Sequence, residues 1–346
     1  MLFRSIGSGL EQKRNFIYIE VNAGQGIYTW IDYNQDGVKD LNEFETAAFI
    51  DQANYIRVFT PSNEYQKIFT SEYNQSLFWK PEIIWGKKKG VLKALSIISD
   101  QLRIRSNRKI GIWDGNELLN PFNAVLSNPQ LITSSYSFRN TLFLFRTSAK
   151  VNINYTLSKS LNKMILASGY DAKGQSFHEL LVRWNILPSF SVKTEGQIGQ
   201  KTSLVDYTQG RNYDLDYQSG MTEWSLQPNT HYRVTLQGKL SKKHNVLGNE
   251  ASLSRTFGSS FKYNTSQKGS FQGEITYHNI LFSGNAISPV AFEMLESLRP
   301  GSNFTWNAAW QRSVGKNLQL NLVYSGRKTM DGKVVHNGGM ELRAFF

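Results

Sequence analysis

The residues best placed to do chemistry lie near the start of the chain, in the stretch WIDYNQDGVKDLNEFE from Trp30 to Glu45. A hard divalent cation such as Ca²⁺ takes about six to eight oxygen ligands. A loop of about 12 residues supplies them from its positions 1, 3, 5, 7, 9 and 12. Those positions are Asp32, Asn34, Asp36, Val38 (through its carbonyl), Asp40 and Glu43. Gly37 falls at the sixth place, where the loop turns sharply and a Cβ is unwelcome. The chemistry expected of these six residues is calcium binding; the competing reading is a polar turn rich in Asp and Asn. The eighth position is Lys39 rather than a β-branched apolar residue, so this loop is expected to work without a paired partner. Sensors use cooperating loops between helices that open, whereas the residues before this loop, GQGIYTW, read as a strand. A structural ion bracing a junction is the expected role.

Other reactive constellations are missing from the sequence. The chain has 346 residues and no cysteine, which excludes disulfides, thiol chemistry and Cys-based zinc sites. Its histidines, His178, His231, His244, His278 and His336, show no HExxH spacing, and no GxSxG elbow occurs. No enzyme is expected. His278 falls on the polar face of a strand and reads as a hydrogen-bonding group rather than a catalytic one. A net charge of +12 raises the question of nucleic acid. The basic residues are scattered, however, and the one compact run, Lys87 to Lys89, sits in a turn-like GKKKG. No nucleic-acid partner is expected.

The elements that must position these residues announce themselves by period. From about Tyr65 onward apolar and polar residues alternate, and helical periodicity is nearly absent. In HYRVTLQGKL, Tyr232, Val234, Leu236 and Leu240 fall on one face and Arg233, Thr235, Gln237 and Lys239 on the other. NFTWNAAWQ sets Phe304, Trp306, Ala308 and Trp310 against polar partners, and NLQLNLVYS does the same with Leu318, Leu320, Leu322 and Tyr324. Val151 to Leu157, Phe190 to Ile198, Ala251 to Tyr263 and Phe271 to Tyr277 behave alike, with Arg255 an exception on an apolar face. These runs exceed the usual strand of about five or six residues. They match membrane-crossing strands of about 9 to 11 tilted residues, apolar toward lipid and polar toward a lumen. Trp79, Trp85, Trp184 and Trp224 fall near strand ends, where aromatic girdles belong. Arg233, Lys239, Glu274, Glu341 and Arg343 are expected as lumen charges. Met330 to Lys333 reads as a tight Asp-Gly turn, and 113–129 and 283–302 as longer loops with short helical pieces.

The expected fold is therefore all-β: an antiparallel transmembrane β-barrel of roughly 14 strands, within about 12 to 16, behind a small calcium-loop segment. Residues 1–60 are expected to end an extracytoplasmic β-module, and 61–346 to form the barrel. No stretch approaches the roughly 18 apolar residues of a membrane helix, and the first 16 residues lack a secretory apolar core.

Resemblance adds to this reading. The DxNxDGxxDxxE loop behind a strand resembles the single calcium loops of extracellular bacterial β-domains such as the SdrD B-like repeats. The blocks GQGIYTWIDYNQDGVKDLNEFE, ANYIRVFTPSNEY, EMLESLRPGSNFTW and VVHNGGMELRAFF resemble large outer-membrane proteins of Bacteroidota. That resemblance implies a barrel C-terminal to a long extracytoplasmic portion in the outer membrane of a Gram-negative cell. The closing MELRAFF, with Met340, Leu342, Ala344 and Phe346 on one face, resembles a C-terminal recognition strand. It implies contact with the barrel-insertion machinery through Phe346 as well as with lipid. The expected role is a pore, a transport or translocation component, or an assembly component with a calcium site at the barrel entry. A secreted, calcium-braced adhesin-like β-protein is the alternative, and an outer-membrane hydrolase ranks below it.

Overall fold

Alternation over long stretches is realised as one antiparallel sheet. The computed structural model describes residues 2–122, 128–206, 209–265, 268–315, 317–330 and 332–345. The chain opens with β1 (Leu2–Glu20), continues through the three-residue β2 (Tyr28–Trp30) and β3 (Phe44–Thr46), and enters the 25-residue β4 (Tyr55–Trp79). Next come β5 (Ile98–Ile110), β6 (Leu131–Leu144), β7 (Val151–Leu166), β8 (Gly169–Leu187), β9 (Phe190–Val205) and β10 (Tyr213–Leu226). β11 (Tyr232–Asn245), β12 (Ala251–Thr265), β13 (Gly269–Ser283), β14 (Gly301–Val314), β15 (Leu318–Thr329) and β16 (Val335–Ala344) complete the wall. Helices α1 (Glu82–Trp85), α2 (Val91–Leu95), α3 (Gly115–Leu119) and α4 (Pro289–Leu295) lie in connections. Among the described residues the sheet has 16 strands, and all but β2 and β3 are long.

From β4 to β16 each strand pairs with its sequence neighbours, and β1 runs antiparallel along β4 from Leu2↔Gln75 to Glu20↔Tyr55. The expected boundary at residue 60 thus falls inside β4, and the calcium-type loop sits in the connection between two wall strands. Among the described residues no rung joins β16 back to β1.

Because side chains alternate with period two, register alone carries each face from strand to strand. Asn107, Ser135, Asn162, Lys173, Ser203 and Tyr213 form one cross-strand row on five successive pairings. This polar face is the concave one, since connections fold onto it and ion pairs cross it. Asp51, between β1 and β4 in the chain, pairs with Arg327 of β15, so the curl brings the two ends of the sheet round toward each other.

The convex face is apolar over a limited height. Counting from the turn ends, outward positions read Tyr232, Val234, Leu236, Gly238 and Leu240 on β11, then Lys242 and His244. On β15 they read Leu318, Leu320, Leu322 and Tyr324, then Gly326 and Lys328. The nine residues from Tyr232 to Leu240, tilted as barrel strands are, give a band of about 25 Å, the height of hydrocarbon around a barrel. Leu236, Phe257, Ile275 and Met340 are 53%, 61%, 62% and 74% exposed in that band. Trp184, Trp224 and Tyr232 mark its turn-side edge, with Trp79 at the end of β4 packed edge-to-face on Trp85 of α1. Tyr155, Tyr277, Phe304 and Tyr324 lie toward its other edge.

Connection lengths are uneven between the two ends. One end carries the tight turns at 188–189 and 227–231, together with the longer α1–α2 connection that holds Lys87 to Lys89. The other carries 21–54, 111–130 and 284–300. In the Asp-Gly turn Gly332 N–H donates to the Thr329 carbonyl at 3.2 Å; Asp331 and the terminal Phe346 lie outside the described residues.

Apolar cores form where connections fold back on the wall. α3 lays Leu118 against Ile104, Ile110, Leu131, Tyr136 and Leu161 on the outer face of β5 to β7. α4 goes inward: its Val290 and Met294 pack on Leu215, and its Ala291 and Leu295 pack on Ile280. Ser288 caps it, accepting from Ala291 N–H at 3.1 Å, and Pro289 takes the first turn, where no N–H is needed. Leu118→Ala is expected to cost about 2–5 kcal/mol of local stability, read as faster proteolysis within 111–130. Unchanged cutting would show that α3 is not held by this cluster.

Candidate lumenal site and its cap

Two connections occupy the concave side. α4 is tied to the wall by Lys201 of β9, whose Nζ donates to Glu293 at 2.8 Å, and by Lys243 of β11, which donates to Glu296 at 2.7 Å and to the Met294 carbonyl at 3.0 Å. Burial raises the Glu296 carboxyl, but Lys243 and the lysines near it outweigh this and hold it below the usual carboxylate range.

Residues 21–54 lie across the mouth at the long-connection end. Phe44 is the anchor: it is buried, stacks on Tyr18 at 3.9 Å and meets Tyr55 edge-to-face at 4.9 Å. On one side Arg211, in the turn between β9 and β10, donates to the carbonyls of Asn42 and Phe44 and to Glu45 at 2.8 Å. On the other side Arg327 clamps Asp51 through both guanidinium nitrogens, with Nη2 to Oδ2 at 2.7 Å. Bidentate pairing of this kind fixes direction as well as distance. The Arg327 hydrogen bond holds the Asp51 carboxyl below the usual range. Burial pushes Glu45 up despite Arg211, and burial with Glu45 alongside pushes the Tyr33 hydroxyl up as well.

Beneath this cap is a chamber of about 500 Å³ between β1, β4 to β10 and α4. Arg14, Arg57, Lys109, Lys173 and Arg211 line it against Glu11, Glu45, Asp171 and Glu293. Lys109 pairs with Glu11 at 2.7 Å and Arg57 lies 3.9 Å from Asp171, so its acids are engaged while its cations remain in excess. Farther along the lumen a second cavity of about 330 Å³ holds Lys239, Lys243, Glu274 and His278. His278 bonds Thr256 at 3.1 Å through Nδ1, a hydrogen-bonding role on the polar wall. Glu341 and Arg343 pair with each other at 2.9 Å on the same face, and Arg233 there donates to Gln227 at 2.9 Å.

The calcium-type loop belongs to the cap. Gly37 has φ +74°, and nothing lies within 4 Å of where its Cβ would be, so backbone conformation and not crowding reserves the position for glycine. Gly37 N–H donates to Asp32 Oδ2 at 3.0 Å, Asp36 N–H to Asn34 Oδ1 at 3.1 Å, and Val38 N–H to Asp36 Oδ1 at 2.7 Å. Asp32, Asn34 and Asp36 are thereby gathered into one turn. Glu43 is buried below them and accepts from Trp30 Nε1 at 2.8 Å, Tyr33 N–H at 3.2 Å and Asp40 N–H at 3.3 Å. Asp40 N–H also donates to the Val38 carbonyl at 3.1 Å.

A fit to calcium rests on the donor chemistry and on one orphan. Asp32 Oδ1 is buried with no hydrogen-bond partner, and a cation would satisfy it. Against that, no three carboxylate or imidazole groups among the described residues converge as a metal cluster. Glu43 would have to rotate from Trp30 and the backbone to complete the set.

Sequence reasoning found the loop and the lumen charges. It missed Arg211, Asp51 and Arg327, the ion pairs that hold the cap, because no local pattern marks a pair 276 residues apart.

No protein-family model matches the chain, and no curated protein matches it. The chain is similar to the outer-membrane channel DcaP of Acinetobacter baumannii, at 7% identity over 99% of this chain and 97% of that one, with a TM-score of 0.37. It is also similar to an anion-selective porin from Comamonas acidovorans, at 9% identity over the whole of both chains, with a TM-score of 0.33.

The clamp predicts a pH response. Asp51 has a folded pKa below its free value, so its contribution to cap docking is complete above that value, near 4, and is lost as pH falls through the lower folded one. Protease cutting within 21–54 is expected to be flat from pH 8 to 5 and to rise in acid. Arg327→Gln should give fast cutting at every pH; a variant that cuts like the parent would remove the clamp.

Proposed function

We propose that this chain is an outer-membrane β-barrel of the pore type, with a basic lumen narrowed by α4 and covered by the 21–54 cap. The observation that carries the reading is the two-faced wall: an exposed apolar band outside and a charged, hydrogen-bonding face inside. A soluble sandwich would bury that band against a second sheet, whereas here ion-paired connections fill the opposite side. Excess cations along the lumen favour small anions as the permeating species, because charged clefts concentrate counter-ions. Phe346, which follows β16 in the sequence, would serve the insertion machinery.

Calcium has a place in this proposal as a brace of the cap. Asp32, Asn34, Asp36, the Val38 carbonyl, Asp40 and Glu43 would hold it, and the ion would stiffen the span between Arg211 and Arg327. The protein should melt a few degrees higher with Ca²⁺ than with chelator, and Asp36→Ala should abolish the difference; equal melting of the parent in both buffers removes calcium.

Planar-bilayer recording tests the pore. The parent chain is expected to conduct weakly, and an Arg211→Gln/Arg327→Gln variant several-fold more, with a reversal potential favouring chloride under a KCl gradient. Silence from both, or cation preference, would overturn the proposal.

A further inference from the structure

The convex wall carries a feature that a pore does not need. Arg255 faces outward from β12 at the upper part of the apolar band, exposed and directly across from Leu240 of β11. Lys242, next outward on β11, lies diagonal to it. Among the described residues neither side chain has an ion-pair or hydrogen-bond partner. A cation on the lipid face is costly at the bilayer midplane and far less so near the interface. Such a pair persists where something anionic meets it.

Beside the pair is a cleft of about 620 Å³ on the same outer face, spanning β7 to β12. Its floor is glycine: Gly196 of β9 and Gly220 of β10 are direct cross-strand partners, and a Cβ on either would meet nothing within 4 Å. Glycine inside a strand weakens it and often marks a close approach by a ligand. Leu180, Ile198 and Leu240 form its sides. His178, held by Tyr155 Oη at 2.6 Å, stands with Lys242 at the polar end of the cleft. The site is thus apolar toward the membrane interior and cationic toward the headgroup level.

The geometry points to a binding site for one anionic membrane lipid, its phosphate between Lys242 and Arg255 and an acyl chain over Gly196 and Gly220. This inference rests on the membrane reading above. Charge complementarity selects the occupant: a zwitterionic headgroup would bring a third cation to a site that already has two.

Purified protein in detergent, given equal phosphatidylglycerol and phosphatidylcholine and then delipidated, is read by native mass spectrometry. The parent should retain phosphatidylglycerol at least ten-fold over phosphatidylcholine, and millimolar inorganic phosphate should not displace it. Lys242→Gln/Arg255→Gln should lose the preference while keeping heat-modifiable gel mobility. Gly220→Leu should lose retention of both lipids; the charge variant stands as an independent test if that wall variant misfolds. Equal retention of the two lipids by the parent, or an undiminished preference in the charge variant, overturns the site. Displacement by free phosphate would make it a phosphate site and overturn the lipid. A parent chain that stays soluble without detergent overturns the membrane reading itself, a distinct result.

Discussion

A peptide backbone in hydrocarbon has no water to bond, so every N–H and C=O must find a partner within the protein. The rest of this structure follows from that constraint. Helices meet it locally, but no helix among the described residues is long and apolar enough to cross a membrane. The ladder from β1 through β4 to β16 meets it laterally instead. Two-fold alternation then separates lipid from lumen at no further cost: Leu236 faces out because Gln237 faces in. The same constraint bears on the seam between β1 and β16, where no rung is present among the described residues. Within a bilayer that seam has to be closed by strand pairing.

A wide polar interior creates a second problem, because water fills whatever side chains do not. Two connections address it from the same end. α4 buries a small apolar core against Leu215 and Ile280 inside the barrel, secured by Lys201 and Lys243. The cap uses an aromatic anchor, Phe44, and two arginine clamps from distant parts of the wall. Charge pairs suit this place, since half-buried bidentate contacts hold a lid firmly yet release it when one partner is neutralised. The calcium-type loop adds a further means of stiffening the same lid.

How much of this was legible in the sequence varied with the range of the interaction. The wall was readable, because alternation is local: β11, β14 and β15 match the runs identified by period to within a residue at their starts or beyond, and each continues several residues past the run's end. β1 was not read as a wall strand. Its outward positions, Leu2, Arg4, Ile6, Ser8 and Leu10, mix charge and hydroxyl into the apolar face, and its partner β4 begins 35 residues beyond its end. Asp32 to Glu43 was legible as a loop motif, while its place over the lumen depended on Arg211 and Arg327. α4 was legible only as a short helical piece within the 283–302 loop; its turn into the lumen depended on Lys201, 92 residues from Glu293.

The central claim is that the even-numbered side chains of β11 meet lipid and the odd-numbered ones meet water. Because the chain has no cysteine, each residue from 232 to 243 can carry a single nitroxide label without background. In vesicles, oxygen accessibility should peak at 234, 236, 238 and 240, and accessibility to a water-soluble nickel complex at 235, 237, 239 and 241. Protection of the even positions from oxygen, or two profiles that rise and fall together, would contradict the account.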